Sequence, residues 1–164
     1  MKGSHRELGG LMSSSRERWY RSLFWIAAVY DIVLGITFLF FYTPVFEFLE
    51  IEDTLPTHTS FLSLIAMFLF VIGVAYALIA VGDLERNRDL ITVGILYKLA
   101  YFSVALWYLI SGVYPHIIFF AVFGVADAFF AVTMIECRLY IERHRSDRFA
   151  NRPTGTGAAN PAGT

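Results

Sequence analysis

The chain has 164 residues, of which 57% are hydrophobic, 17% aromatic and only 16% charged. Soluble domains usually carry about 25% charged residues, so this composition excludes an ordinary soluble globule and sets most of the chain against lipid or other helices. A formal net charge of −1 points away from a nucleic-acid partner. The single cysteine, Cys137, excludes an intrachain disulfide and any zinc or iron–sulfur site built on cysteine ligands.

In chain order, the first segment (1–21) is polar and basic, with no cleavable signal expected in its first 18 residues. Four stretches then reach the roughly 20 apolar residues that a helix needs to cross a hydrocarbon core of about 30 Å. The first covers about 22–43 and is expected to stop at Pro44. The second covers about 60–81, after the Pro56-Thr57-His58 turn and before Gly82-Asp83. A third covers about 90–111 and is broken by Gly112 and Pro115. The fourth runs from near His116 to about Glu136, with helix expected to continue into the basic segment that follows. Asn87 and Asp89 read as helix-starting residues in the second loop. The Gly, Pro, Ala and Thr-rich end, from Arg152 onward, reads as a disordered tail. The expected fold is all-α: a four-helix membrane bundle over 22–137 between a basic N-terminal segment and a basic C-terminal extension, 138–164.

Charge sets the expected orientation. Twelve of the 13 Lys and Arg residues fall on one face: in the N-terminal segment, at Arg86 and Arg88, and from Arg138 to Arg152. The opposite loops have none, and carry Glu47, Glu50, Glu52 and Asp53. The positive-inside rule then puts both termini in the cytoplasm of a cell that bounds itself with this inner or plasma membrane. Trp19, Trp25, Tyr42 and Tyr114, near the helix ends, fit interfacial anchoring. Arg86 and Arg88 are candidates to meet anionic lipid headgroups. Cys137, near the same interface, reads as a small packing residue or a lipidation site.

Three ionisable side chains fall inside the spans. Asp31 lies ten residues beyond Arg21, Lys98 ten beyond Arg88, and Asp127 eleven before Arg138. At 1.5 Å per residue all three lie about 15 Å deep. A charge at a helix centre costs about 2.5–3.5 kcal/mol on insertion scales, so each should face protein rather than lipid. The helical faces agree: Asp31 shares its face with Ala27, Gly35 and Phe38, Lys98 with Gly94, Tyr101, Ala105 and Tyr108, and Asp127 with Phe120, Phe123, Gly124 and Ala131. The second helix offers an uncharged stripe, Ser63, Ala66, Phe70, Gly73 and Ala77. Small residues on such faces let helices approach closely. The expected cluster is Lys98 between Asp31 and Asp127, with Tyr101 one turn away. It reads either as structural pairing that fixes helix order or as a proton-relay or ligand site. Two carboxylates and one ammonium leave a net buried charge, so one aspartate is a candidate to hold a proton. His58 and His116, with the acidic residues of the same face, form a weak candidate metal site, and no metal is expected.

The run Asp83-x-x-Arg86-Asn87-Arg88-x-Leu90-Ile91, then Lys98, Tyr101, Pro115 and Ala126-Asp127, resembles small bacterial four-helix membrane proteins grouped as DoxX-like. The opening Leu23-Phe24-x-x-Ala27-Ala28-x-Tyr30-Asp31-x-x-x-Gly35 resembles them as well, and the likeness spans about 20–137. It implies a bacterial inner-membrane bundle, and a link to quinone-coupled sulfur oxidation through a redox subunit. Three functions follow as expectations: a non-enzymatic membrane subunit or assembly partner, alone or as a homo-oligomer; a proton-relay or small-solute transporter using the charged cluster; or a quinone-linked subunit with Tyr97, Tyr101, Trp107 and Tyr108 lining a flat pocket. No nucleophile–base pair or paired metal motif favours catalysis.

Overall fold

In a hydrocarbon surrounding, backbone N–H and C=O groups have no water to bond, so long apolar runs satisfy them internally as helix. The computed structural model describes residues 4–113 and 116–150, with side chains described over 15–113 and 116–146. It is all-helical, with no strand among the described residues. Helix α1 spans Ser4–Phe40, α2 Tyr42–Phe48, α3 Ser60–Val81 and α4 Arg88–Ile110. Next come α5, Ile117–Phe120, a π-helical turn over Ala121–Ala126, and α6, Asp127–Ala150, which follow one another without a break. Among the described residues, four segments are long and apolar enough to cross a membrane: Ser15–Phe40, Ser60–Val81, Arg88–Ile110 and Ile117–Ser146. The 22 residues of α3 and 23 of α4 give lengths of about 33–35 Å, matched to a hydrocarbon core of about 30 Å.

One expectation about a boundary is corrected. Pro44 does not end the first span. The chain turns at Phe41, where φ is −126° and ψ 18°, and Pro44 sits in the first turn of the short helix α2, where its missing N–H interrupts no helical bond. Helix α1 begins at Ser4, so the helix of the first span also extends through the polar N-terminal segment. The fourth span does continue into the basic extension, as far as Ala150. Tyr114, Pro115 and the tail from 151 onward lie outside the described residues.

The loop ends use specific chemistry. Gly112 closes α4 at φ +67°, a left-handed conformation suited to glycine. Glu50 takes the same region (φ 55°) at the end of α2, while the Ile51 N–H donates back to Phe46 O at 3.0 Å. Asn87 occupies the cap position of α4 without a side-chain cap bond. The turn before it is closed by Asp83, whose Oδ1 accepts from Arg86 N–H at 2.9 Å.

Helix α1 packs most closely on α3, and α4 on the α5–α6 rod. At Gly35 an added Cβ would lie 2.8 Å from Ala66 O, and at Gly73 it would lie 3.0 Å from Ala28 O. The first two spans therefore touch backbone to backbone. Both termini of the bundle share one end, where the Arg21 guanidinium donates to Ala80 O (2.9 Å) and Gly82 O (2.7 Å), and Tyr20 donates to Glu136 (3.3 Å). Arg21 thus caps the last carbonyls of α3, a role beyond its topological charge. The core has two apolar parts. One, at the end that bears the termini, includes Phe24, Ala27, Tyr76, Ile79, Ile91, Met134 and Cys137. The other, at the opposite end, is built on Phe38, Phe46, Ile51, Ala66 and Leu69. Large apolar side chains also point outward on every long helix, among them Ile26, Phe68, Leu96 and Val132. Such a surface suits lipid or a partner rather than water.

Candidate functional site

Between the two apolar cores lies a layer of charge. Lys98 Nζ donates to Asp31 Oδ1 at 2.8 Å and to Asp127 Oδ1 at 2.9 Å. The three side chains are sealed, with relative exposures of 0% for Lys98 and Asp31 and 2% for Asp127. Lys98 belongs to α4, Asp31 to α1 and Asp127 to the first turn of α6. One ammonium therefore ties the α1/α3 pair to the α4/α6 pair. Of the residues expected to share faces with the charges, Ala27, Gly35, Phe38, Gly94, Ala105, Gly124 and Ala131 are buried, Tyr101, Phe120 and Phe123 are half-buried, and Tyr108 is exposed.

Four aromatic rings complete the ammonium's surroundings. The ring centroids of Tyr30, Phe130, Tyr76 and Tyr97 lie 4.9, 5.4, 5.7 and 5.7 Å from Lys98 Nζ. Such rings attract a cation through the negative faces of their quadrupoles, more strongly when water is absent. Gly94 makes room for one of them: an added Cβ there would meet the Tyr76 ring at 2.6 Å, and the Tyr76 hydroxyl donates to Gly94 O at 3.1 Å. Tyr30 has a second task. Its hydroxyl donates to Val122 O at 2.7 Å, inside the π turn. A π turn moves backbone bonding from the fourth to the fifth residue and is most often found at functional positions. Here it ends at Asp127, so the local rewinding sets where that carboxylate points.

Tyr101, expected in the cluster, stands outside it. Its ring lies 4.7 Å from Tyr97 and 5.9 Å from Phe123, and it lines an apolar cavity of about 320 Å³. That cavity lies in the half of the bundle away from the termini, walled by Phe38, Ile65, Tyr101, Val104, Tyr108 and Phe123 among others. Of the four residues expected to line a flat pocket, Tyr101 and Tyr108 do so. Tyr97 turns to Lys98 instead, and Trp107 is 69% exposed. Among the described residues, two buried side-chain polar atoms make no hydrogen bond of good geometry, Asp31 Oδ2 and the Tyr97 hydroxyl.

The weak metal candidate does not assemble. Among the described residues no three His, Cys, Asp or Glu side chains gather as a metal site. His116 instead caps α5, its Nδ1 accepting the N–H of Ile118 at 3.2 Å, and His58 is exposed. Arg86 is exposed, and Arg88 sits 3.5 Å from Asp89. Cys137 is fully buried in the core near the termini, so it packs rather than faces the interface.

Sequence reasoning brought the three charges together but missed Tyr30, Tyr76, Phe130 and the π turn. Tyr30 adjoins Asp31 in sequence, yet neighbours at i and i+1 point to different faces of a regular helix. In the bundle both nevertheless reach the ammonium of α4, Asp31 through its carboxylate and Tyr30 through its ring. Comparison with family models, curated proteins and solved structures found no match. The likeness to DoxX-like proteins therefore rests on its short motifs, and function must be read from the geometry.

Proposed function

We propose that this chain is a multi-pass membrane protein with both termini in the cytoplasm, serving as a non-enzymatic membrane subunit or assembly partner. The observation that carries this reading is the bridging ammonium: Lys98 Nζ within 2.9 Å of carboxylates from two different helices, one in each helix pair. In a bilayer the pairs gain little from apolar burial against each other, because lipid tails are as apolar as leucine. A sealed charge bridge supplies what apolar contact cannot, a unique register. The orientation rests on the Lys and Arg distribution, twelve residues at the termini-bearing end and none in the opposite loops. The outward-facing apolar side chains are the surface that lipid, a second copy or a membrane partner covers.

Three experiments test this. Reporters fused after residue 150 or inserted near Glu85 should report cytoplasm, and one near Asp53 the outside; an external C-terminus would overturn the topology. A double-mutant cycle pairing Lys98→Met with Asp127→Asn should show strong coupling in stability, whereas additive effects would mean that the bridge locks nothing. Purification in mild detergent should retain a stoichiometric partner or a defined oligomer.

A second reading has one observation in its favour. The aromatic-walled cavity beside Tyr101 and Tyr108 is of small-ligand size and suits the ring of a quinone, as a redox subunit would require. Organic extraction of the purified protein, followed by mass spectrometry, should then yield quinone near one per chain.

A further inference from the structure

The charge layer, taken with the lock reading above, has an unbalanced count. Two carboxylates face one ammonium, and among the described residues no other cation reaches the layer. Asp31 is fully buried, uses only Oδ1 on Lys98, and leaves Oδ2 with no hydrogen-bond donor. A carboxylate sealed from water with one oxygen unpartnered is among the costliest groups a protein can bury, and protonation removes most of that cost. The groups around it are Lys98 and Tyr97 from α4, Asp127 from α6, Tyr76 from α3 and Tyr30 from its own helix. None of the tyrosines bonds to Oδ2.

The two ends of the bundle differ in how they enclose this layer. Toward the termini it is closed by side chains with almost no exposure, including Phe24, Ala27, Ile79, Ile91, Met134 and Cys137. Away from the termini the order is different. Tyr97, whose buried hydroxyl makes no hydrogen bond of good geometry, lies against Tyr101, and Tyr101 is a wall of the cavity. The cavity's walls come from α3 at Ile65 and α4 at Val104 and Tyr108, two helices that touch sparsely.

We infer that Asp31 is a proton-binding site, neutral with its proton on Oδ2, and that it exchanges this proton through the Tyr97–Tyr101 pair and the cavity on the side away from the termini. With that proton the layer is electrically neutral: Lys98 and Asp127 form the ion pair, and Asp31 Oδ1 accepts from the same ammonium. Exchange breaks and forms only the O–H bond, with water on the side away from the termini as donor and acceptor. Loss of the proton leaves one net negative charge in the layer, so binding and release couple to the fit between the two helix pairs.

The test uses the full chain in phosphatidylcholine vesicles at neutral pH. Infrared difference spectra should show a protonated-carboxyl C=O band that is lost in Asp31→Asn, moves in Asp31→Glu and stays in place in Asp127→Glu. No such band, or a band that moves only with Asp127→Glu, would overturn the assignment. The route has its own probe, dicyclohexylcarbodiimide, a lipophilic reagent. A protonated carboxyl adds across its C=N bond, and the adduct rearranges to a stable acylurea that carries the reagent's full mass. Peptide mass spectrometry should place the adduct on Asp31, and Ala105→Leu, which fills the cavity, should slow labelling several-fold without moving the infrared band. Labelling at an unchanged rate would overturn the route and leave the protonation standing. A coupled Lys98/Asp127 cycle with no band would sink this inference alone, and additivity would sink the lock.

Discussion

Two seams run through this bundle and hold by different physics. Between α1 and α3, glycine and alanine let the backbones touch, and dispersion across a close, fitted surface joins the helices. Between the two helix pairs, rings of Tyr30, Tyr76, Phe130 and Phe38 hold the backbones apart, and a charge bridge spans the gap. The first seam tolerates no added volume. The second tolerates volume but no unbalanced charge. It is also the seam that contains a cavity, because large rings tile a wide gap less completely than methyl groups fill a narrow one.

The largest effect should come from removing the ammonium. Lys98→Met leaves two carboxylates facing each other without a cation, a loss of about 3–5 kcal/mol by analogy with broken buried pairs in soluble proteins. Thermal unfolding in detergent should show it as a large fall in Tm, and the loss should shrink at acid pH, where both carboxylates can take up protons. A Tm within a few degrees of the parent would mean that the wide seam is held by its rings alone.

The narrow seam should respond to a single methyl group. In Gly35→Ala the new Cβ lies 2.8 Å from Ala66 O and 2.9 Å from Phe70 N, both backbone atoms that cannot turn aside. Overpacking of this kind costs about 1–3 kcal/mol. Gly94→Ala is the control from the other seam, because the nearest atoms its methyl meets belong to the Tyr76 side chain rather than to backbone. Its cost should be the smaller, measured by the same unfolding assay. Equal costs at the two glycines would erase the distinction between the seams.

The same distinction explains what could be read in advance. The narrow seam and the charges were legible because both are exceptions in an apolar run: Gly35, Gly73 and Ala66 by size, Asp31, Lys98 and Asp127 by charge. Helical periodicity then placed each exception on a face. The rings of the wide seam were not legible, since a chain with 16 Phe and 9 Tyr offers no way to tell a ring over Lys98 from one in lipid. Tyr101 was favoured over Tyr97 because it lies one turn from Lys98 on the same face. The neighbouring position, Tyr97, reaches the ammonium instead through its long ring. The π turn has no sequence mark of its own. Pro44 misled because proline ends a helix in its interior but is tolerated in a first turn, and the sequence does not say which side of the break it occupies.

A smaller effect should test the π turn. Tyr30→Phe keeps the ring over Lys98 and removes the hydroxyl that donates to Val122 O. Interhelical hydrogen bonds in membrane proteins average about 0.6 kcal/mol and reach about 1.7, so a loss in that range is expected. Amide hydrogen exchange should quicken over Ala121–Asp127 and not over α3. Faster exchange in α3 as well would mean that Tyr30 supports the bundle generally rather than the rewound segment.

The smallest effect should belong to Asp31→Asn, and its smallness is the informative part. Both aspartates sit within 2.9 Å of one ammonium, so a symmetric bridge would lose similar stability at either. If Asp31 is the neutral member, asparagine reproduces its shape and its carbonyl, and the Lys98–Asp127 pair survives intact. The expected change is then no more than that of one ordinary hydrogen bond, about 0.5–1.5 kcal/mol. Asp127→Asn should cost more, because the bridge must then recruit Asp31, release its proton and leave the unpartnered Oδ2 charged. The two variants therefore differ in pH response as well as in size. Stability of Asp31→Asn should be nearly flat across neutral pH, whereas Asp127→Asn should lose stability as rising pH strips the proton from the sealed Asp31 carboxyl, which the unfolded chain has already released, and leaves its unpartnered Oδ2 charged. Equal losses with parallel pH profiles would show that the two carboxylates share the ammonium evenly, and that the wide seam has no neutral side.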